Sequence, residues 1–242
     1  MTAKSSLRGI LFALWLPMFC CSYAAGQSTG AATENEAWPE ADFHVEFPSH
    51  LRLLTFAGVE QAVGYPFQQW YAAAALEYQF KPILRPHWIN IDPDKEHYLL
   101  FGGGYEFLRT THSGQVSHED RITMDATPGF RPLSRLLLRD RNWVEFRWID
   151  GGYSTTYRNM VSAEGDARVH GVRFSPYGTA EIFYDGQKHS WDQEWYTAGV
   201  LWPYKRIVML DTYYRRERCP TCTPQNWNAG GLSLHFFFGN RE

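Results

Sequence analysis

The chain has 242 residues, 17% of them aromatic, with a mean hydropathy of −0.41 and a formal net charge of −3. That length suits one main domain, and the acidic balance gives nucleic acid no basic surface to bind. After the first 25 residues no apolar run approaches the ~20 residues that a membrane-spanning helix needs. Many aromatics at negative hydropathy are what strands with one greasy and one wet face produce.

Lys4 and Arg8, the apolar run Ile10 to Phe19 and the small residues Ser22, Ala24, Ala25 and Gly26 follow the order of a secretory signal. Residues 1–25 therefore read as a signal peptide cleaved after Ala24 or Ala25, and the chain as a secreted precursor. Phe19 stands before Cys20 where a lipoprotein signal has a small residue, which makes lipid attachment a minor alternative. Cleavage removes two basic residues and no acid, which moves the net charge to −5. Gln27 to Glu36 contains no apolar residue larger than Ala, so residues 26–40 read as a flexible periplasmic leader and 41–242 as the folded domain.

From Ala41 onward apolar residues recur at every second position, the spacing of strands. Leu76, Tyr78 and Phe80 alternate with Glu77 and Gln79, Ile122 and Met124 with Arg121 and Asp125, and Val144, Phe146 and Trp148 with Glu145 and Arg147. Leu210 and Tyr214 alternate with Asp211 and Arg215, and Leu232, Leu234 and Phe236 with Ser233 and His235. Breaks at Gly64-Tyr65-Pro66, Asp92-Pro93-Asp94, His112 to Gly114, Gly151-Gly152, Asp185-Gly186 and Pro220 to Pro224 divide these runs. The division gives ten strands, near 51–62, 68–82, 96–110, 118–131, 134–149, 154–165, 169–184, 191–203, 206–217 and 226–239. The expected fold is all-β: an antiparallel up-and-down transmembrane β-barrel of ten strands in the outer membrane of a Gram-negative bacterium. An even count suits a barrel with both ends in the periplasm. Phe43, Val45 and Phe47, together with Trp88 to Ile91, would bring the count to twelve, the second choice.

In such a barrel Arg121, Asp125, Glu145, Arg147, Arg158, Glu164, Glu181, Asp211 and Arg215 point inward, a near-balanced set of charges that would pair and fill a narrow lumen. Trp70 and Tyr71, Trp148, Tyr184 and Trp191, Trp195 and Tyr196, Trp202 and Tyr204, Tyr213 and Tyr214, and Trp227 suit girdles at the membrane interfaces. The implied partners are outer-membrane lipids and the barrel-assembly machinery. The competing fold is a soluble sandwich or lipocalin-like barrel with its aromatics in one core.

Asp140-Arg141-Asn142, Glu145 to Trp148, Tyr153-Ser154, Tyr157-Arg158-Asn159, Pro176-Tyr177, Glu181 to Asp185, Trp191 and Trp38-Pro39-Glu40 form an ordered series along the chain. The series resembles the bacterial family catalogued as domain of unknown function 2490, and it spans nearly all of residues 38–239. The resemblance implies an outer-membrane barrel of unassigned activity. Trp143 stands where the resemblance implies an arginine, and Thr155-Thr156 replace bulkier or basic residues.

Little in the chain points to catalysis. No histidine pair has metal-binding helical spacing and no serine lies in a nucleophile elbow, so no metal or cofactor is expected. Asp92, Asp94 and His97, and His118 with Glu119 and Asp120, are the two groups that would supply a base to an outer-membrane hydrolase of lipids or peptides with its site at the barrel rim. Both read more simply as turn and strand-end residues. Cys219-Pro220-Thr221-Cys222 allows a tight disulfide, a redox pair or half of a metal site, and an oxidising compartment favours the disulfide. The leading reading is a non-enzymatic barrel with a structural, binding or narrow-permeation role.

Overall fold

The computed structural model describes residues 33–48, 50–80, 98–133, 135–205 and 207–239. Its elements are β1 (Thr33–Glu46), β2 (Leu51–Val63), β3 (Phe67–Phe80), β4 (Leu99–His112), β5 (Gln115–Leu133), β6 (Leu136–Ile149), β7 (Gly152–Gly165), the short β8 (Ala167–Val169), β9 (Val172–Asp185), β10 (Ser190–Tyr204), β11 (Val208–Arg218) and β12 (Asn226–Gly239). Eleven of these close into one barrel of antiparallel neighbours, sealed by a parallel pair between β1 and β12. β8 pairs with the start of β9 and lengthens that hairpin.

The fold class agrees with the periodicity, and the strand count, eleven, falls between the ten and the twelve expected. Ten strands fall where the alternation put them, and the eleventh is β1, of which only Phe43 and Val45 gave a local signal. Residues 33–40 belong to this strand and not to a leader. They are held by an unbroken register from Thr33↔Asn226 to Glu46↔Gly239 on one side and by β2 on the other. An odd count makes the first and last strands run the same way, so the start of β1 and the end of β12 lie at opposite ends of the barrel, contrary to the even-count expectation. The signal segment and Trp88 to Ile91 lie outside the described residues.

Three hairpins turn on two residues with positive φ at both centres: Ser113-Gly114, Asp150-Gly151 and His170-Gly171. Such turns match the right-handed twist of the flanking strands. The His170-Gly171 turn divides a stretch that reads as one strand from 169 in the sequence.

Alternation then sorts the side chains. Leu76, Tyr78 and Phe80 are exposed on the outer face while Glu77 and Gln79 are buried, and exposed Ile122 and Met124 flank buried Asp125 in the same way. The same period splits several aromatic pairs. Trp70, Tyr196 and Tyr214 are exposed outside, whereas Tyr71 hydrogen-bonds Glu40 on the inner face, Trp195 packs on buried Phe183, and Tyr213 covers Gly231. Tyr71, Trp195 and Tyr213 therefore belong to the interior and not to a girdle.

Candidate functional site: the charged interior

Of the nine charges expected inside, Asp125, Glu145, Glu164, Glu181 and Asp211 are buried and Arg121, Arg147, Arg158 and Arg215 half-buried, and the structure gives several of them counter-ions that alternation alone does not pair. Around β4 to β9 the guanidinium groups sit against carboxylates. Arg158 donates to Glu145 Oε1 at 2.7 Å and to Glu181 Oε1 at 2.7 Å. Its guanidinium also lies over Trp143 at 4.0 Å and Phe183 at 4.4 Å. Arg147 grips Glu119 through two nitrogens, at 2.5 and 3.0 Å, and Arg121 shares the same carboxylate at 2.5 Å. Arg139 donates to Glu164 at 2.7 Å, and Arg141 reaches both oxygens of Asp125 at 3.3 Å. Arg52 and Glu77, both almost wholly buried, pair at 2.5 Å.

Trp143 takes its place in this network as a flat plate between Arg141 and Arg158, while its indole N–H donates to Glu145 at 3.0 Å. An aromatic ring between two guanidinium groups attracts both through its negative face. Trp143 thus holds two arginines without adding a third positive charge.

Across β1, β11 and β12 the chemistry changes. Inward-facing Glu36, Glu40, Asp42, Asp211 and Glu217 come from strands whose one inward guanidinium is Arg215. Arg215 is held by Thr197 Oγ1 at 3.0 Å and by the faces of Trp38 and Trp195 at 4.7 and 4.6 Å. The carboxylates are met by neutral donors instead. Trp38 Nε1 donates to Glu36 at 2.7 Å, the Tyr71 hydroxyl to Glu40 at 2.7 Å, and the Tyr177 hydroxyl to Asp211 at 2.8 Å. His235 Nδ1 lies 2.6 Å from Asp42 Oδ2.

Glycine seats both tyrosines. A Cβ on Gly58 would stand 2.3 Å from the Tyr71 hydroxyl, and one on Gly199 would stand 2.6 Å from the Tyr177 ring. Each ring lies flat over the neighbouring strand's bare backbone, which aims its hydroxyl along the wall at an acid.

The residues of the expected catalytic groups do not converge. His118 and Asp120 face outward, where His118 stacks on Phe107 and Asp120 accepts from the Tyr105 hydroxyl, while Glu119 faces inward to its arginines. Asp92, Asp94 and His97 lie outside the described residues. Cys219 and Cys222 are bonded to each other, with Cα atoms 5.3 Å apart, beside the start of β12.

Sequence reading missed the acidic seam for two reasons. Glu36 and Glu40 sit in a segment that composition assigns to a leader, and Asp42, His44 and His235 share no helical spacing. Their signal was a strand spacing, Asp42 and His44 two residues apart, plus a partner on the last strand. The described residues that come together as possible metal ligands are these three.

Part of the family-like series faces outward. Asn159 Nδ2 donates to Asp140 Oδ1 at 2.6 Å and to Asn142 Oδ1 at 3.0 Å, and the Tyr157 hydroxyl donates to Asn142 Oδ1 at 2.6 Å. Polar groups on this otherwise apolar wall satisfy one another. Residues 35–228 match the model of a family described as "Protein of unknown function (DUF2490)". No curated protein matches the chain.

Proposed function

The chain belongs to the DUF2490 family, and on that footing we propose that it is an exported outer-membrane barrel with a charge-filled interior and a structural or binding role. One observation carries the reading: the wall is inside-out relative to a soluble protein. Leu76, Ile122, Met124, Val161 and Leu232 are exposed on the outer face, between 39% and 60% for comparable side chains such as Ile182 and Met124, while ionisable groups line the inside. A soluble protein rarely exposes a continuous apolar surface of this kind, whereas a closed barrel in lipid requires one. The buried ion pairs on one side and the acid-to-tyrosine bonds on the other favour a plugged interior over an open pore. Assembly would then depend on the barrel-insertion machinery and the surrounding lipid.

The expected protein fractionates with outer membranes and migrates differently on gels before and after boiling. Recovery in the soluble periplasmic fraction, with no change of migration, would overturn the membrane reading. Reconstitution into planar bilayers is expected to give no steady conductance; sustained open-channel currents would contradict the filled interior while leaving the membrane reading intact.

A further inference from the structure

We propose that Asp42, His44 and His235 form a binding site for one divalent transition-metal ion of the zinc type, inside the barrel at the parallel seam between its first and last strands. The three residues each present one ligand atom, and these atoms lie within 4.8 Å of one another. Asp42 and His44 are two apart on β1 and so share its inner face, and the parallel register sets His235 of β12 beside Asp42. Asp42 and His44 are each 6% exposed. Ligands bound at ~2.1 Å around one tetrahedral ion are ~3.4 Å apart, so side-chain rotation of about an ångström closes the set.

The ligand chemistry selects the ion. Two imidazoles and one carboxylate suit zinc and its neighbours, whereas calcium and magnesium prefer oxygen alone. The surroundings favour a cation as well. Glu40 is the next inward residue on β1 and Asp211 lies across Ser233 on β11, while neither β1 nor β12 contains a Lys or Arg. The Tyr71 and Tyr177 hydroxyls hold those two flanking carboxylates in place. Phe237 stacks on His44 with ring centroids 4.6 Å apart, which restricts the imidazole to few orientations and shields the site. Binding replaces the contact between His235 and Asp42 with two bonds to the ion, and any proton carried by the imidazole nitrogen that ligates is released to solvent.

The test uses the purified full-length protein in detergent, without a polyhistidine tag. Cobalt(II) is the spectroscopic probe and zinc(II) the competitor. The expected result is one cobalt per chain with a visible ligand-field band, displaced by zinc. His44→Ala and His235→Ala are expected to weaken binding at least tenfold, and His112→Ala, at the exposed contact with Tyr65, to leave it unchanged. Zinc should also raise the melting temperature of the wild-type protein and not that of His235→Ala, because the ion ties β1 to β12. Absence of stoichiometric binding to the wild-type protein overturns the proposal whatever the variants do. Unchanged affinity in both histidine variants, each still heat-modifiable on gels, overturns it equally. Where an alanine variant fails to fold, Asp42→Asn and His235→Gln keep the side-chain volume and are expected to show the same loss.

Discussion

Arg158 illustrates how much one side chain carries in this barrel. It neutralises two carboxylates, Glu145 and Glu181, and packs against Trp143 and Phe183. Removing it leaves two acids buried without their cation, so Arg158→Met is expected to cost about 3–5 kcal/mol in urea unfolding from detergent. Lysine keeps the charge but cannot fork between two acids or lie flat on a ring, so Arg158→Lys should recover only part of that loss. The tyrosine seats act through shape. Gly58→Ala places a methyl group against Tyr71 and is expected to destabilise by about 1–3 kcal/mol, as overpacking does. Gly103→Ala is the contrasting case: its nearest new contact is 3.7 Å away, and the melting temperature should hardly move. Both follow from thermal unfolding scans.

At the scale of elements, β1 decides whether the wall closes. Without it, β2 and β12 are bare edges, and an open sheet edge is not tolerated in hydrocarbon. Deleting residues 33–46 is therefore expected to abolish the heat-modifiable form, whereas a chain starting at 33 should retain it. The turn between β9 and β10 supplies a pH-dependent element. Desolvation pushes the Asp185 carboxyl up, but backbone N–H bonds from Lys188 and Gln187, with the Lys188 ammonium, outweigh it and hold the group below the usual carboxylate range. A carboxylate depressed in the folded state stabilises above its unfolded pKa, near 4, and that contribution is lost as pH falls through the folded value. The protection of the Gln187 and Lys188 amides against exchange, corrected for the intrinsic rate at each pH, should fall below about pH 4 in the wild-type chain and show no such step in Asp185→Asn.

For the whole barrel, parallel closure puts the start of β1 and the end of β12 at opposite ends. Bacterial barrels keep short turns on the periplasmic side and longer loops outside. The short turns at Ser113-Gly114 and Asp150-Gly151 share an end with the start of β1, while the long connection from β3 to β4 shares the other with Gly239. We therefore expect an impermeant maleimide on intact cells to label a cysteine at His170 and not one at Asp150. The opposite pattern would reverse the assignment. On this orientation the Cys219–Cys222 loop would face the periplasm.

Much of this architecture was legible in the chain, and the boundary of legibility is physical. The sequence by itself determined that the protein is all-β, where ten strands lie, and which face of each is wet, because a period of two follows from backbone geometry within each strand. It also put Arg121, Glu145, Arg158 and Asp211 on the wet face of their strands. Only the tertiary structure decided that β1 completes the ring, which arginine meets which acid, and that Glu40 meets Ser233 from 193 residues away. Those contacts depend on how many strands close and in what register. No local pattern encodes closure, since it joins the two ends of the chain and becomes defined only when every intervening strand is in place.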